Sequence, residues 1–139
     1  MLSLIRQARA AGALLLAAFA LWLSGCVGLT PATPEEIVSQ RSQERWAAMI
    51  AGDFEKAWTY AQPGFRAEVK QADYRKRFGD GGQWKDAQVI NTTCEVDRCT
   101  VRLRLVTVLS LPGFKGQELR GGIDEVWVRE DGQWWFLAQ

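Results

Sequence analysis

The apolar positions along the chain change their period as they go, and each change marks a different kind of element. Ala10 to Leu23 is an unbroken apolar run of 14 residues, preceded by Arg6 and Arg9, the only charges before Glu35. Val38, Ser42, Trp46, Met49 and Ile50 then fall on one stripe at helical spacing and predict a helix ending near Ala51. Thr33-Pro34-Glu35-Glu36 is its start signal: Thr33 can cap, Pro34 suits the first turn, and Glu36 closes a capping box. Gly52 ends that helix, and Asp53 can cap a second, shorter one through Phe54, Ala57, Trp58 and Ala61. Pro63-Gly64 reads as a break. A third helix is predicted from Lys70 to Phe78, with Tyr74 and Phe78 inward and Arg75, Lys76 and Arg77 on its solvated side.

After the loop Gly79-Asp80-Gly81-Gly82 the period falls to two. Residues 87–95 and 98–109 pair around the turn between Cys94 and Cys99. The predicted register sets Thr92 against Val101 and Ile90 against Leu103 on one face, with Asn91 against Arg102 and Val89 against Arg104 on the other. One apolar face and one polar face suit a sheet covered by helices on one side. Ser110 to Arg120, with Pro112, Gly113 and Gly116, reads as a long connection. A last hairpin joins Ile123–Val128 to Gln133–Leu137 at Asp131-Gly132, a favoured two-residue turn. It opposes Val128 with Trp135 and Val126 with Leu137 on one face, and Trp127 with Phe136 and Arg129 with Trp134 on the other. Both faces are apolar or aromatic. Either Trp127 and Phe136 stack in a small cluster, or Trp127, Trp134 and Phe136 form an interface for a partner or a homodimer.

The apolar run before Ser24 is too short to cross a bilayer, which takes about 20 helical residues. A basic front, a short apolar centre and small residues at the exit make residues 1–25 a secretory signal. Its removal leaves 114 residues carrying all 16 acidic and 15 of the 17 basic side chains, a formal charge of −1. That is enough for one domain, residues 34–139, behind a tether of residues 26–33. The balanced charge argues against nucleic acid as a partner. The absence of histidine removes the commonest general base and metal ligand, so neither a metal nor a cofactor is expected. Export puts Cys94 and Cys99 in an oxidising compartment, where a pair this close forms a structural disulfide.

Leu23-Ser24-Gly25-Cys26 resembles the lipobox of bacterial lipoproteins. The resemblance implies that Cys26 receives a thioether-linked diacylglyceryl group, becomes the N-terminus after cleavage and carries palmitate-like chains. Val27 stands where members retained at the inner membrane often have Asp, which implies the periplasmic face of an outer membrane. Val27 to Thr33 reaches at most about 25 Å, so the domain and its partners stay close to the lipid.

The arrangement of helices before a curved antiparallel sheet, with Arg45-Trp46, Gly52-Asp53, Glu125-Val126-Trp127-Val128 and Asp131-Gly132-Gln133-Trp134-Trp135, resembles the nuclear-transport-factor-2-like superfamily. That likeness implies an α+β, cone-shaped, cystatin-like fold: three N-terminal helices on the sheet, with a cavity between them. Enzymes of that superfamily use Asp, Tyr or His in the cavity. The candidates here are Tyr60, Asp73, Tyr74 and Glu125, none in a matching catalytic motif, so no catalytic residue is carried over. Trp46, Trp58, Tyr60 and Tyr74 are the expected pocket residues. The function expected first is a non-catalytic envelope lipoprotein binding a small apolar ligand or a membrane-proximal protein. The alternatives are a pocket enzyme transferring protons through a carboxylate and a tyrosine, or a structural module that dimerises.

Overall fold

The computed structural model describes residues 31–78 and 83–138. From Ala32 onward the described residues form one compact unit. The leader, the lipobox with Cys26 and the loop at residues 79–82 lie outside the described residues.

Helix α1, Pro34–Ile50, begins as its sequence dictates. The Thr33 hydroxyl accepts from the Glu36 amide, while the Glu36 carboxylate accepts from the Thr33 amide. The reciprocal pair satisfies two of the donors a helix N-terminus leaves open. Gly52, at φ 76°, takes the left-handed conformation that ends the helix cheaply. Asp53 then caps α2, Phe54–Trp58, by accepting from the Lys56 amide.

Two short helices follow. Pro63 does not simply break the chain: it occupies the first turn of α3, Pro63–Glu68, where its missing N–H costs nothing. Helix α4 is Gln71–Phe78. The described chain therefore has four helices where three were expected, because proline serves as a helix start as well as a stop.

The sheet is antiparallel, in the order β1 (Gln83–Cys94), β2 (Arg98–Val108), β3 (Glu118–Glu130), β4 (Gln133–Phe136), and curls into a half-barrel. Cys94 opposes Cys99, joined by a disulfide with the Cα atoms 4.0 Å apart, and Thr92 opposes Val101 as expected. Beyond that the register slips at Ile90, so Val89 pairs with Leu103 and Gln88 with Arg104. The bulge turns Ile90 out to 55 % exposure and keeps Val89 and Ala87 facing the helices. β3 also starts earlier than expected: Glu118, Leu119 and Arg120 belong to it and not to the connection. The last hairpin has the predicted register, with Asp131 and Gly132 both at positive φ as its two-residue turn demands.

Alternate residues of β2, from Cys99 through Val101 and Leu103 to Leu105, face α1 and form the core with Val38, Trp46, Met49, Tyr74, Trp127, Trp134 and Phe136. Trp127, Trp134 and Phe136 thus lie inside this domain and not on a surface that a partner could reach. The other face of the hairpin does have a cover. Arg41 and Arg66 stack on Trp135, with guanidinium carbons 5.5 and 4.9 Å from its ring centre. The Nε of each is buried without a hydrogen-bond partner among the described residues. The rings and the aliphatic stems do the covering.

Candidate functional site

Three residues of α1, Ser42, Arg45 and Trp46, lie one turn apart on one face of the helix and all point at β3. There they meet Glu125, which sits two residues before Trp127 and so shares its inward face. Glu125 is 4 % exposed and Arg45 2 %. Arg45 Nη1 donates to Glu125 Oε1 at 2.6 Å, and Trp46 Nε1 donates to the same oxygen at 2.7 Å. Ser42 Oγ donates to Oε2 at 2.8 Å, and Trp127 Nε1 reaches it at 3.3 Å.

A carboxylate offers about four lone-pair positions, and here four donors occupy them. Removing two charges from water costs several kcal/mol per ion. Only full pairing of this sort makes such a burial tolerable.

The remaining side of Arg45 faces Tyr74. Its Nε and Nη2 donate to the phenol oxygen at 3.2 and 2.9 Å. The guanidinium sits over the Phe136 ring, its carbon 3.8 Å from the ring centre. Burial pushes the Tyr74 phenol above its ordinary range, Arg45 pulls it back in part, and Glu125 adds to the rise.

Beside this network lies a cavity of about 300 Å³. Trp46, Met49, Phe78, Trp84, Ile123 and Phe136 make most of its wall, and Arg45, Asp124 and Glu125 are the polar part. Trp46 and Trp84 meet edge to face, 5.3 Å between ring centres, which fixes the two largest wall elements against each other. Arg45 carries five N–H donors, of which Glu125 and Tyr74 engage three. The site can therefore shelter an apolar body and offer a guanidinium N–H to an oxygen acceptor. Among the described residues, no group of three or more Cys, Asp and Glu gathers to hold a metal ion.

The four expected pocket residues divide. Trp46 lines the cavity, and Tyr74 reaches it only through Arg45. Tyr60 and Trp58 sit elsewhere: the Tyr60 hydroxyl donates to Glu44 Oε2 at 2.9 Å, and Trp58 Nε1 donates to the Val69 carbonyl at 2.9 Å. Both belong to the neighbourhood of the arginines over Trp135, with Arg41 over Tyr60 and Arg66 over Trp58.

Asp73 and Tyr74 make no acid–base pair. Asp73 is 55 % exposed and binds Lys76 at 3.0 Å, while Tyr74 points into the core. Sequence reasoning missed Arg45 as the centre of the site. Its signal was a charged residue next to the apolar stripe of α1, adjacent to Trp46, with a lone inward carboxylate at Glu125 to match.

No family model matches the chain, and no curated protein does. Solved structures do. The solution structure of RPA3114, a SEC-C motif-containing protein from Rhodopseudomonas palustris, superposes with a TM-score of 0.57 at 17 % identity, over 70 % of this chain and 73 % of that one. That likeness is one of fold. A crystal structure named for an NTF2-like transpeptidase from Campylobacter jejuni aligns at a TM-score of 0.46 and 14 % identity, over 72 % of this chain and 96 % of that one.

Proposed function

We propose that this chain is a bacterial envelope lipoprotein, anchored through Cys26 at the periplasmic face of an outer membrane. Its domain, of the cone-shaped nuclear-transport-factor-2-like type, is a non-catalytic binder of a small, mostly apolar ligand. The observation that carries the reading is the cavity: its wall is largely aromatic and aliphatic, its buried carboxylate, Glu125, already accepts four hydrogen bonds, and its other carboxylate, Asp124, is held by Arg102. A general base needs a free lone pair aimed at the substrate proton, and Glu125 has none to offer. The ligand chemistry that fits is a hydrocarbon or ring body bearing one oxygen acceptor for Arg45.

The test is a thermal-shift titration of the full chain in detergent with a medium-chain fatty acid, its methyl ester and the matching alkane. Saturable stabilisation by the acid and ester, weaker with the alkane and lost in Ile123→Trp, supports the reading. Ile123 is 37 % exposed at the cavity wall, so the larger ring would fill the space from its open side. Stabilisation that survives Ile123→Trp, or none with any of the three, overturns it.

A further inference from the structure

Unpaired strand edges invite other strands, and folded proteins usually block them. Two of this sheet's edges are blocked. Along β1, the Gln43 side chain of α1 acts as a short strand: its Nε2 donates to the Ala87 carbonyl at 2.8 Å, and its Oε1 accepts from the Val89 amide at 3.2 Å. Register shifts near Lys85 and Ile90 distort that edge further. Along β4, the segment before α3 closes the edge, with the Phe136 amide donating to Tyr60 and the Gln62 amide donating to Phe136.

The third edge is open. β4 is four residues long and β3 thirteen, so from Glu118 to Asp124 β3 pairs with β2 alone among the described residues. All seven residues are exposed. The Arg129 amide bonds toward β2, at Asp97, and the Val126 carbonyl bonds the other way, to Leu137. By antiparallel alternation, Arg120, Gly122 and Asp124 aim their N–H and C=O groups at the open side.

We propose that a second copy of this chain occupies that edge, β3 running antiparallel to the partner's β3 about a two-fold axis at Gly122. Charge selects the register. Centring on Gly122 sets Arg120 opposite the partner's Asp124, twice by symmetry, and glycine opposite glycine at the axis. Centring on Gly121 would set Glu118 against Asp124, and centring on Arg120 would set two arginines face to face; like charges directly opposite are unfavourable. Asp124 already binds Arg102 across β2 at 2.9 Å, so the pairing extends an alternating row of Arg102, Asp124 and the partner's Arg120. A Cβ built on Gly121 meets nothing within 4 Å, and on Gly122 nothing closer than 3.6 Å, so a side chain introduced at either position has room. About six ladder hydrogen bonds result. The Leu137 contact at Val126 ends the open stretch and sets its length.

The pairing also completes the cavity. Opposite residues on antiparallel strands share a face. The partner's Leu119 therefore stands opposite Glu125, on the side where Ile123 and Glu125 line the cavity. Leu119 is 58 % exposed in the single chain; in the dimer it becomes part of the rim of its partner's site.

The experiment is oxidative cross-linking of the full chain in membranes through Gly122→Cys, read as a dimer on a non-reducing gel against the unsubstituted chain. Residues opposite one another in a ladder lie about 5.5 Å apart at Cα, within disulfide reach. The proposal expects efficient dimer formation with Gly122→Cys. It expects roughly tenfold less when Arg120→Asp is added, and likewise when Asp124→Arg is added. Mixing those two variants should restore the dimer, because each copy then faces the opposite charge at both positions. No dimer with Gly122→Cys alone, or equal cross-linking by the charge variants on their own, overturns it. Arg120 is 74 % exposed, so the Arg120→Asp arm decides the matter even if Asp124→Arg fails to fold.

Discussion

Glu125 and Arg45 are each worth more to the fold than either would be alone in water, because each is what makes the other's burial tolerable. Removing one partner of such a pair strands a charge in the core, at a cost of about 3–5 kcal/mol. Glu125→Gln should therefore lower the unfolding free energy by that order, seen as a fall in the urea midpoint with an unchanged slope. The double substitution Arg45→Met with Glu125→Leu should be the less damaging change, since it leaves no charge behind. A double variant no more stable than Glu125→Gln would show that the pair itself supplies the stability.

Tyr74 gives the alkaline side of the same network. Burial raises its pKa, with Arg45 opposing, so the folded state holds the neutral phenol more tightly than the unfolded chain does. That contribution is whole below about pH 10, the unfolded value, and is lost as pH rises toward the higher folded value. Tyr60, raised first by burial and then by its hydrogen bond to Glu44, adds to it in the same direction. Stability measured by denaturant should fall above about pH 10, and less steeply in Tyr74→Phe.

At the scale of elements, the β1–β2 hairpin is the piece held most locally. Its disulfide closes a loop of only a few residues, so chain entropy predicts a contribution of about 2 kcal/mol. Cys94→Ser with Cys99→Ser should lower the stability by about that much and leave the far-ultraviolet dichroism of the sheet unchanged, since β2 still pairs along its whole length with β3. A loss of sheet signal would mean the bond directs pairing as well as constraining it.

The elements also show where local sequence was sufficient. Thr33-Pro34-Glu35-Glu36, Gly52-Asp53 and Asp131-Gly132 act through bonds to residues within three or four positions, so each could be read directly. Ile90 could not. A bulge is chosen by whether Val89 and Ala87 can face α1, and α1 lies some forty residues away in the chain. Pro63 misled for a related reason: the same ring that ends one helix is suited to begin another, and the choice depends on what packs beside it.

At the scale of the whole molecule, the anchor proposed at Cys26 and the domain are separable. In the proposed reading attachment rests on acyl chains at Cys26; separately, among the described residues no helix is long and apolar enough to cross a membrane. Two or more chains make a durable anchor, and one gives only marginal binding. Cys26→Ser should move the protein from the membrane pellet to the soluble fraction of a bacterial lysate, with the domain's melting temperature unaltered. Pelleting that persists without Cys26 would remove the lipid from the account.

The sequence by itself determined the starts of α1 and α2, the hairpin turns, the disulfide and the alternation that turns Trp127, Trp134 and Phe136 to one side of β3 and β4. All of these depend on near neighbours or on a period of two. Tertiary structure decided the rest. It put Glu125 under Arg45, 80 positions apart in the chain, and left Tyr60 and Trp58 off the cavity that Trp46 lines. It buried the tryptophans that alternation alone left free for either a core or an interface. A buried charge needs partners from several directions at once, and no single stretch of chain can supply them.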